Sequence, residues 1–207
     1  MTRLTALLAA VLVIGGGAVA YVMTGGEAED RFVECRTSNV AGGSAAIGGP
    51  FELVSETGET VTEKDVIDKP TLIYFGYTFC PDVCPLDAAR NAEAVDILED
   101  RGEIVKPVFI SVDPERDTPE VLAEFTDYLH PRMVGLTGSP EQVRAASKAY
   151  RTYYQAQKSE GDEEYYLVDH STMTYLALPG HGFVEFFRRD VSAEQMADRV
   201  QCFVDAA

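Results

Sequence analysis

The chain has no tryptophan, three histidines and four cysteines in 207 residues, and its 17 lysines and arginines face 34 aspartates and glutamates. Each shortage excludes something. Four cysteines are too few for a disulfide-dense miniprotein, so the fold must rest on a hydrophobic core. The length suits one ordinary domain plus an appendage. A net charge of -17 repels phosphate backbones and anionic lipid, which argues against nucleic acid as a partner. With so few imidazoles, each histidine can be weighed singly. No internal repeat is present.

What the chain does have begins with an apolar run. Leu4 to Met23 carries no charge, follows Arg3 and precedes Glu27, Glu29 and Asp30. That length crosses a bilayer as a helix, and the preceding arginine keeps the amino terminus in the cytoplasm. A cleaved signal peptide is the competing reading, since Ala18-Val19-Ala20 resembles a cleavage site. The run is longer than a usual signal core, which favours an anchor. The expected organisation is a membrane anchor or uncleaved signal over residues 1–26, a flexible tether over 27–47 and a folded domain over 48–207. Gly42-Gly43-Ser44 and Gly48-Gly49-Pro50 are the breakers in the tether.

The domain is organised around Tyr74-Phe75-Gly76-Tyr77-Thr78-Phe79-Cys80-Pro81-Asp82-Val83-Cys84-Pro85. Thr71 to Tyr77 reads as a buried strand, being short, aromatic and β-branched. From Pro85, a residue suited to a first helical turn, Leu86, Ala89, Ala92, Ala94, Val95 and Leu98 mark one helical face. Both sulfurs therefore lie at a strand-to-helix turn near a positive helix end, where thiolates are favoured. A hairpin closed at Thr57-Gly58 precedes this unit and a strand over 105–112 follows it. Helices are expected from Pro119 to about Leu129, after the cap Thr118, and from Pro140 to about Tyr150, after Ser139. Residues 151–169 read as an inserted hairpin or flap. Strands over 172–178 and 183–187 and a helix over 193–204 close the chain. The order predicts an α/β fold with helices on both faces of a mixed sheet. A cysteine pair between the first core strand and its helix is a thioredoxin-like layout, although three residues separate Cys80 and Cys84 where thioredoxins have two.

Two soft thiolates select monovalent copper, zinc or an iron–sulfur cluster. A closed zinc site wants four ligands, and no second local pair supplies them. One imidazole would complete a three-coordinate site suited to copper. His130 sits at a helix end, where a cation complements the dipole, and His181 in a glycine-flanked turn; a structural role suits the first and solvation the second better than ligation. His170 lies where the flap meets a core strand, and from spacing alone an exposed or satisfied ring is the commoner role for it.

Cys80-Pro81-Asp82-Val83-Cys84-Pro85 after an aromatic strand resembles the signature of the Sco/SenC family, copper-binding proteins of cytochrome c oxidase assembly. Asp113-Pro114-Glu115-Arg116-Asp117-Thr118-Pro119 is similar to that family's second signature, and Val168-Asp169-His170-Ser171-Thr172 to its third. The likeness covers about residues 48–204 with the motifs in family order. It implies a thioredoxin-like fold on a membrane tether. It implies a copper site, serving the monovalent and divalent states, built from Cys80, Cys84 and His170. It further implies delivery of copper to, or reduction of cysteines at, the copper A centre of oxidase subunit II, with other copper chaperones or thiol reductants as further partners. The implied location is the bacterial cytoplasmic membrane, single-pass, with the C-terminal domain in the periplasm.

Asp113 and Asp117 flank the loop beside the expected site, either orienting it or docking a partner; a solvated, helix-capping loop is the alternative. Cys35 and Cys202 lie outside the motifs, and in an oxidising compartment two such cysteines are expected to pair. An intermolecular bridge or a spare thiol are the other options. A thiol–disulfide oxidoreductase cycling Cys80 and Cys84, or a redox or copper sensor, is the main alternative to a copper chaperone. A peroxidase fits less well, since no peroxide-activating arginine stands out.

Overall fold

The computed structural model describes residues 30–38, 43, 46–159 and 162–207. The anchor expected at Leu4 to Met23 lies outside them, and among the described residues no helix is long and apolar enough to cross a membrane. The chain divides into two compact units, Met1–Glu34 and Cys35–Ala207. Of the first only 30–34 are described, as a turn in which the Val33 N–H donates to the Asp30 carbonyl at 2.9 Å.

The second unit is built on a seven-stranded sheet in the order β2-β1-β5-β4-β3-β8-β9. The strands are β1 (Glu52–Ser55), β2 (Thr60–Thr62), β3 (Thr71–Gly76), β4 (Lys106–Ser111), β5 (Val134–Thr137), β8 (Thr174–Leu178) and β9 (Gly182–Phe187). The helices are α1 (Glu63–Val66), α2 (Val83–Asp100), α3 (Pro119–Leu129), α4 (Pro140–Ala149) and α5 (Ala193–Asp205). β3, β4 and β5 run parallel, and β8 and β9 continue the sheet antiparallel. All six residues of β3 are buried, so this strand is covered on both faces and reads as a continuous apolar run. A parallel βαβ unit followed by an antiparallel hairpin and a helix, with α2 packed on α5, is a thioredoxin-like arrangement. The remaining strands, β6 (Tyr154–Ser159) and β7 (Asp162–His170), pair with each other and, among the described residues, with no other strand. They are the hairpin expected over 151–169.

Helix starts follow their caps. Thr118, Ser139 and Ser192 side chains accept from the backbone N–H three residues on, with Pro119 and Pro140 at the first helical position. α2 departs from expectation. It begins at Val83, and its buried face is Cys84, Asp87, Ala88, Asn91, Ala92, Ala94, Val95 and Leu98, while Leu86 is 60% exposed and Ala89 is also exposed. The reason is polar. The Tyr74 hydroxyl donates to Asp87 Oδ2 at 3.0 Å, Arg189 Nε donates to Asp87 Oδ1 at 3.2 Å, and Thr174 Oγ1 donates to Asn91 Oδ1 at 2.9 Å. Satisfied polar groups thus occupy core positions that an apolar pattern assigns elsewhere. At the end of β3, Gly76 permits a close approach, since a Cβ there would sit 2.8 Å from the Tyr74 ring and 3.0 Å from that of Phe109.

Within the stretch read as a tether, Cys35 is buried and bonded to Cys202 of α5, with Cα atoms 5.7 Å apart. The fully buried Glu185 of β9 secures the same segment. Its carboxylate accepts from Thr37 N (3.0 Å), from Ser38 N (3.4 Å) and from the Ser38 hydroxyl.

Candidate metal centre

Strand β3 delivers the chain to a turn at Tyr77–Asp82, and α2 leads away from it. Cys80 sits in the turn and Cys84 in the first turn of the helix; both are buried, free thiols. β7 brings His170 across from the far side. Its Nε2 lies 3.2 Å from Cys84 Sγ, and one ligand atom from each of Cys80, Cys84 and His170 falls within 4.8 Å of the others. This is the one such group of three among the described residues. The His170 Nδ1–H donates to the Ser171 carbonyl at 2.9 Å, which leaves the Nε2 lone pair facing the sulfurs. The rings of Tyr77 and Tyr74 meet the imidazole edge-on, with centroids 5.8 and 6.2 Å away. An open cleft of about 400 Å³, lined by Tyr77, Cys80, Asp82, Leu167, Asp169 and His170, leads to the group.

The two sulfurs are not equivalent, contrary to the expectation that the helix end favours both thiolates. Burial pushes the Cys80 thiol up, but N–H groups of Asp82, Cys84 and Val83 and the Cys84 side chain outweigh it, and the net shift is down. The Cys84 N–H itself lies 3.4 Å from Cys80 Sγ. Cys84 is fully buried, and desolvation raises its thiol far above the usual range. Burial likewise holds the His170 ring below its ordinary value, so it stays neutral and ready to ligate. Tyr77 is pushed up to about 12, first by burial and then by the nearby Cys80 sulfur, so it remains a phenol. Near neutral pH, Cys80 should therefore alkylate with iodoacetamide at least about tenfold faster than Cys84, because the thiolate is the nucleophile. Peptide mapping over a time course measures this, and equal rates would refute the asymmetry.

An ion bonded to two sulfurs at about 2.3 Å and one imidazole at about 2.0 Å, with zinc lengths as a guide, holds its ligand atoms about 3.7–4.0 Å apart in a plane. Cys84 Sγ and His170 Nε2 reach that spacing on parting by about half an ångström, and Cys80 Sγ lies within 4.8 Å of both. Two thiolates and one neutral imidazole form a soft, three-coordinate set with room for an incoming ligand from the cleft.

The flanking aspartates are buried, so a solvated loop does not describe them. The Asp117 carboxylate accepts from Thr78 N (3.1 Å), Thr78 Oγ1 (2.6 Å) and Ser111 Oγ (2.5 Å), which ties the loop after β4 to the turn before Cys80. Burial raises Asp117, and these donors pull against it. Asp113 accepts from the Tyr166 hydroxyl and from Arg116 Nε, each at 2.5 Å. Neither carboxylate belongs to the metal group. Asp117→Ala strands a backbone N–H and two hydroxyls and should lower stability by about 2–4 kcal/mol, a loss that thermal unfolding of the metal-free chain measures. A change under about 0.5 kcal/mol, the scale of ordinary surface substitutions, would show that water replaces the carboxylate.

His130 is buried at the C-cap of α3, a structural place at the helix end where it was expected. Its Nδ1 accepts from Arg132 N at 3.0 Å and its Nε2 donates to Asp96 at 3.2 Å. His181 is exposed in the β8–β9 turn. Neither joins the cysteines. The sequence reading missed Tyr74, Tyr77, Tyr166 and Arg116 as neighbours of the site. The available signal was slight: Tyr166 alternates in step with His170 along β7, whereas Tyr77 falls past the end of β3, three residues after Tyr74.

The SCO1/SenC family profile matches residues 39–205. Protein SenC of Rhodobacter capsulatus is 56% identical over 205 residues, covering 99% of this chain and 91% of that protein. The mitochondrial SCO1 homolog 1 of Arabidopsis thaliana is 46% identical over 159 residues, covering 76% of this chain; the chain spans about half (47%) of its length. Among solved structures, Arabidopsis thaliana ScoI with copper bound superposes with a TM-score of 0.71 at 43% identity, covering 77% of this chain and 99% of that one.

Proposed function

We propose that this chain, which belongs to the SCO1/SenC family, is a copper chaperone that holds one copper ion on Cys80, Cys84 and His170 and passes it to the copper A centre of cytochrome c oxidase subunit II. The observation that carries this reading is the convergence of two sulfurs from one turn and an imidazole 86 residues away. The copper-bound ScoI relative supports the choice of metal. Thiolates favour the monovalent ion, and the imidazole with a fixed turn accommodates the divalent one. Release follows from the low coordination number: partner thiolates entering through the cleft replace the ligands one at a time. The location that fits is the bacterial cytoplasmic membrane, with residues 4–23 as a single-pass anchor and the domain in the periplasm.

A second reading rests on the unequal sulfurs. A depressed, more accessible Cys80 and a raised, buried Cys84 suit a nucleophile and a resolving thiol, so the pair could reduce the cysteines of its target before metallation. The test takes the reduced full chain, titrates it with Cu(I) against a chelator of known affinity, and offers the product to subunit II with its copper A cysteines reduced or oxidised. Saturation at one copper followed by transfer to the reduced form supports the chaperone. Reduction of the oxidised form by the metal-free chain, with one Cys80–Cys84 disulfide formed for each target disulfide reduced, supports the reductase. A chain that takes up no stoichiometric copper would remove the first reading.

A further inference from the structure

We propose that Arg116 is a positioning residue for the metal centre: through the ring of Tyr166 it holds the β6–β7 ribbon in place, and so keeps the His170 imidazole over the Cys84 sulfur. This rests on the reading of Cys80, Cys84 and His170 as copper ligands.

The argument starts from backbone pairing. Among the described residues, β6 and β7 hydrogen-bond to each other and to no strand of the main sheet. A two-stranded ribbon alone is marginal in water, so side-chain contacts must decide where this one lies. Along the C-terminal part of β7 the faces alternate. Tyr166 and Val168 are buried and His170 is half-buried, whereas Tyr165, Leu167 and Asp169 are exposed. Tyr166 and His170 therefore share the inward face, about 13 Å apart at strand rise. Val168, Tyr154 and Ala156 add apolar contact on that face, but apolar burial has no direction and does not fix tilt.

Directional contacts gather at Tyr166. The Arg116 guanidinium carbon lies 3.6 Å from the centre of its ring, 4.7 Å from that of Phe79 and 5.7 Å from that of Tyr77. One cation thus touches the ribbon and both ends of the segment leading to Cys80. Arg116 Nε donates to Asp113 Oδ2, while the Tyr166 hydroxyl donates to the other oxygen of the same carboxylate, closing a triangle of three side chains. Asp113 is held in turn, its N–H donating to Ser111 Oγ at 2.9 Å. On the ribbon side, the Lys158 ammonium is 4.8 Å from the Tyr166 ring and pairs with Glu115. Arginine suits the position because its planar guanidinium can lie on a ring while donating in its own plane, which an ammonium cannot do.

At the ribbon's base, next to the ligand, the two strands are tied to each other, Ser171 N donating to the Tyr153 carbonyl at 2.9 Å and Tyr153 N to Ser171 Oγ at 3.0 Å. The chain itself joins that base to α4 and β8. The inward strand is thus held at Tyr166, at its covalent base beside His170 and, between them, by the Tyr77 side chain at the Val168 backbone, and freeing the Tyr166 end loosens it above the His170 end. The imidazole must keep its direction within a few tenths of an ångström to bond the ion, so it feels that loosening.

The experiment uses the full chain, with Arg116→Ala, Arg116→Lys and Tyr166→Leu each made alone and in a His170→Ala background. Cu(I) affinity is read by chelator competition, and amide hydrogen exchange of residues 165–170 is read on the metal-free protein. Arg116→Ala should keep one copper on the two sulfurs but bind it roughly 10- to 100-fold more weakly, the range for residues that orient a ligand. Exchange should quicken along β7 and not along β3 or β4. In the His170→Ala background Arg116→Ala should add no further loss, because it acts through that ring. Arg116→Lys should recover little. If Arg116→Ala does not fold, Tyr166→Leu, which removes the ring and keeps the cation, is read the same way. Equal losses in both backgrounds, or unchanged affinity and exchange, would overturn the proposal. If His170→Ala alone leaves copper affinity unchanged, the ligand reading fails, and faster exchange along β7 in metal-free Arg116→Ala still judges the hold of Arg116 on the ribbon.

Discussion

Cys84→Ser is expected to abolish tight copper binding, and Cys80→Ser to do the same, while His170→Ala leaves a weaker complex with one ion. A serine hydroxyl is a hard donor and stays protonated at neutral pH, so it cannot replace a thiolate toward a soft ion. Structural zinc sites gain about 10–16 kcal/mol from four ligands, which suggests a loss on the order of 100- to 1,000-fold for each sulfur removed. The pH dependence follows from the shifts at the site. Burial raises the Cys84 thiol well above neutral, so the free protein holds that proton and copper must displace it. Below the thiol's pKa, apparent affinity should fall about tenfold per pH unit from this group alone. His170 works the other way. Its ring is held below its ordinary value, so it remains neutral through the neutral range and adds no slope there. Chelator competition at three pH values on the wild type and the three variants measures all of this. A Cys84→Ser chain that still saturates at one copper with wild-type affinity would place the metal elsewhere.

The second large effect belongs to the Cys35–Cys202 bridge, which closes a sequence separation of 167 residues. For a loop of that length the chain-entropy model gives about 5 kcal/mol, and measured losses of native disulfides run from about 2 to 5 kcal/mol. A unit of this size shifts its midpoint by about 2–4 °C per kcal/mol, so Cys202→Ser should lower Tm by roughly 5–20 °C. The double variant Cys35→Ser/Cys202→Ser should unfold no earlier than either single one, since both remove the same link. A single variant with an unchanged midpoint, or equal midpoints for the wild type with and without reductant, would assign the bridge no part in stability. Copper affinity should survive the change, because neither cysteine belongs to the metal group.

The elements were legible wherever local chemistry decides them. Thr118-Pro119 and Ser139-Pro140 start helices where those pairs predict, and the buried run of β3 stands out by composition alone. The face of α2 was not legible, because Asp87 and Asn91 hold core positions through partners on β3, β8 and the segment after β9. No one-dimensional pattern contains those partners. The pairing of the cysteines with His170 is similar. Spacing leaves the histidine ordinary, the family likeness singles it out, and the ribbon supplies the physical reason by carrying it across to the turn. The asymmetry of the two thiols was illegible for the same cause. Helix polarity acts on both sulfurs, but burial acts unequally, and burial is a property of the packed chain.

The bond at Cys35 also sets a leash. If residues 4–23 span the membrane as proposed, residues 24–34 separate that span from the pinned cysteine, a stretch whose contour is at most about 40 Å. Were the chain free up to Ile47, the same span would pay out about twice that length. A bridged protein anchored in this way would sweep only a shallow shell above the bilayer, confining the ion it carries to acceptors that stand close to the lipid surface.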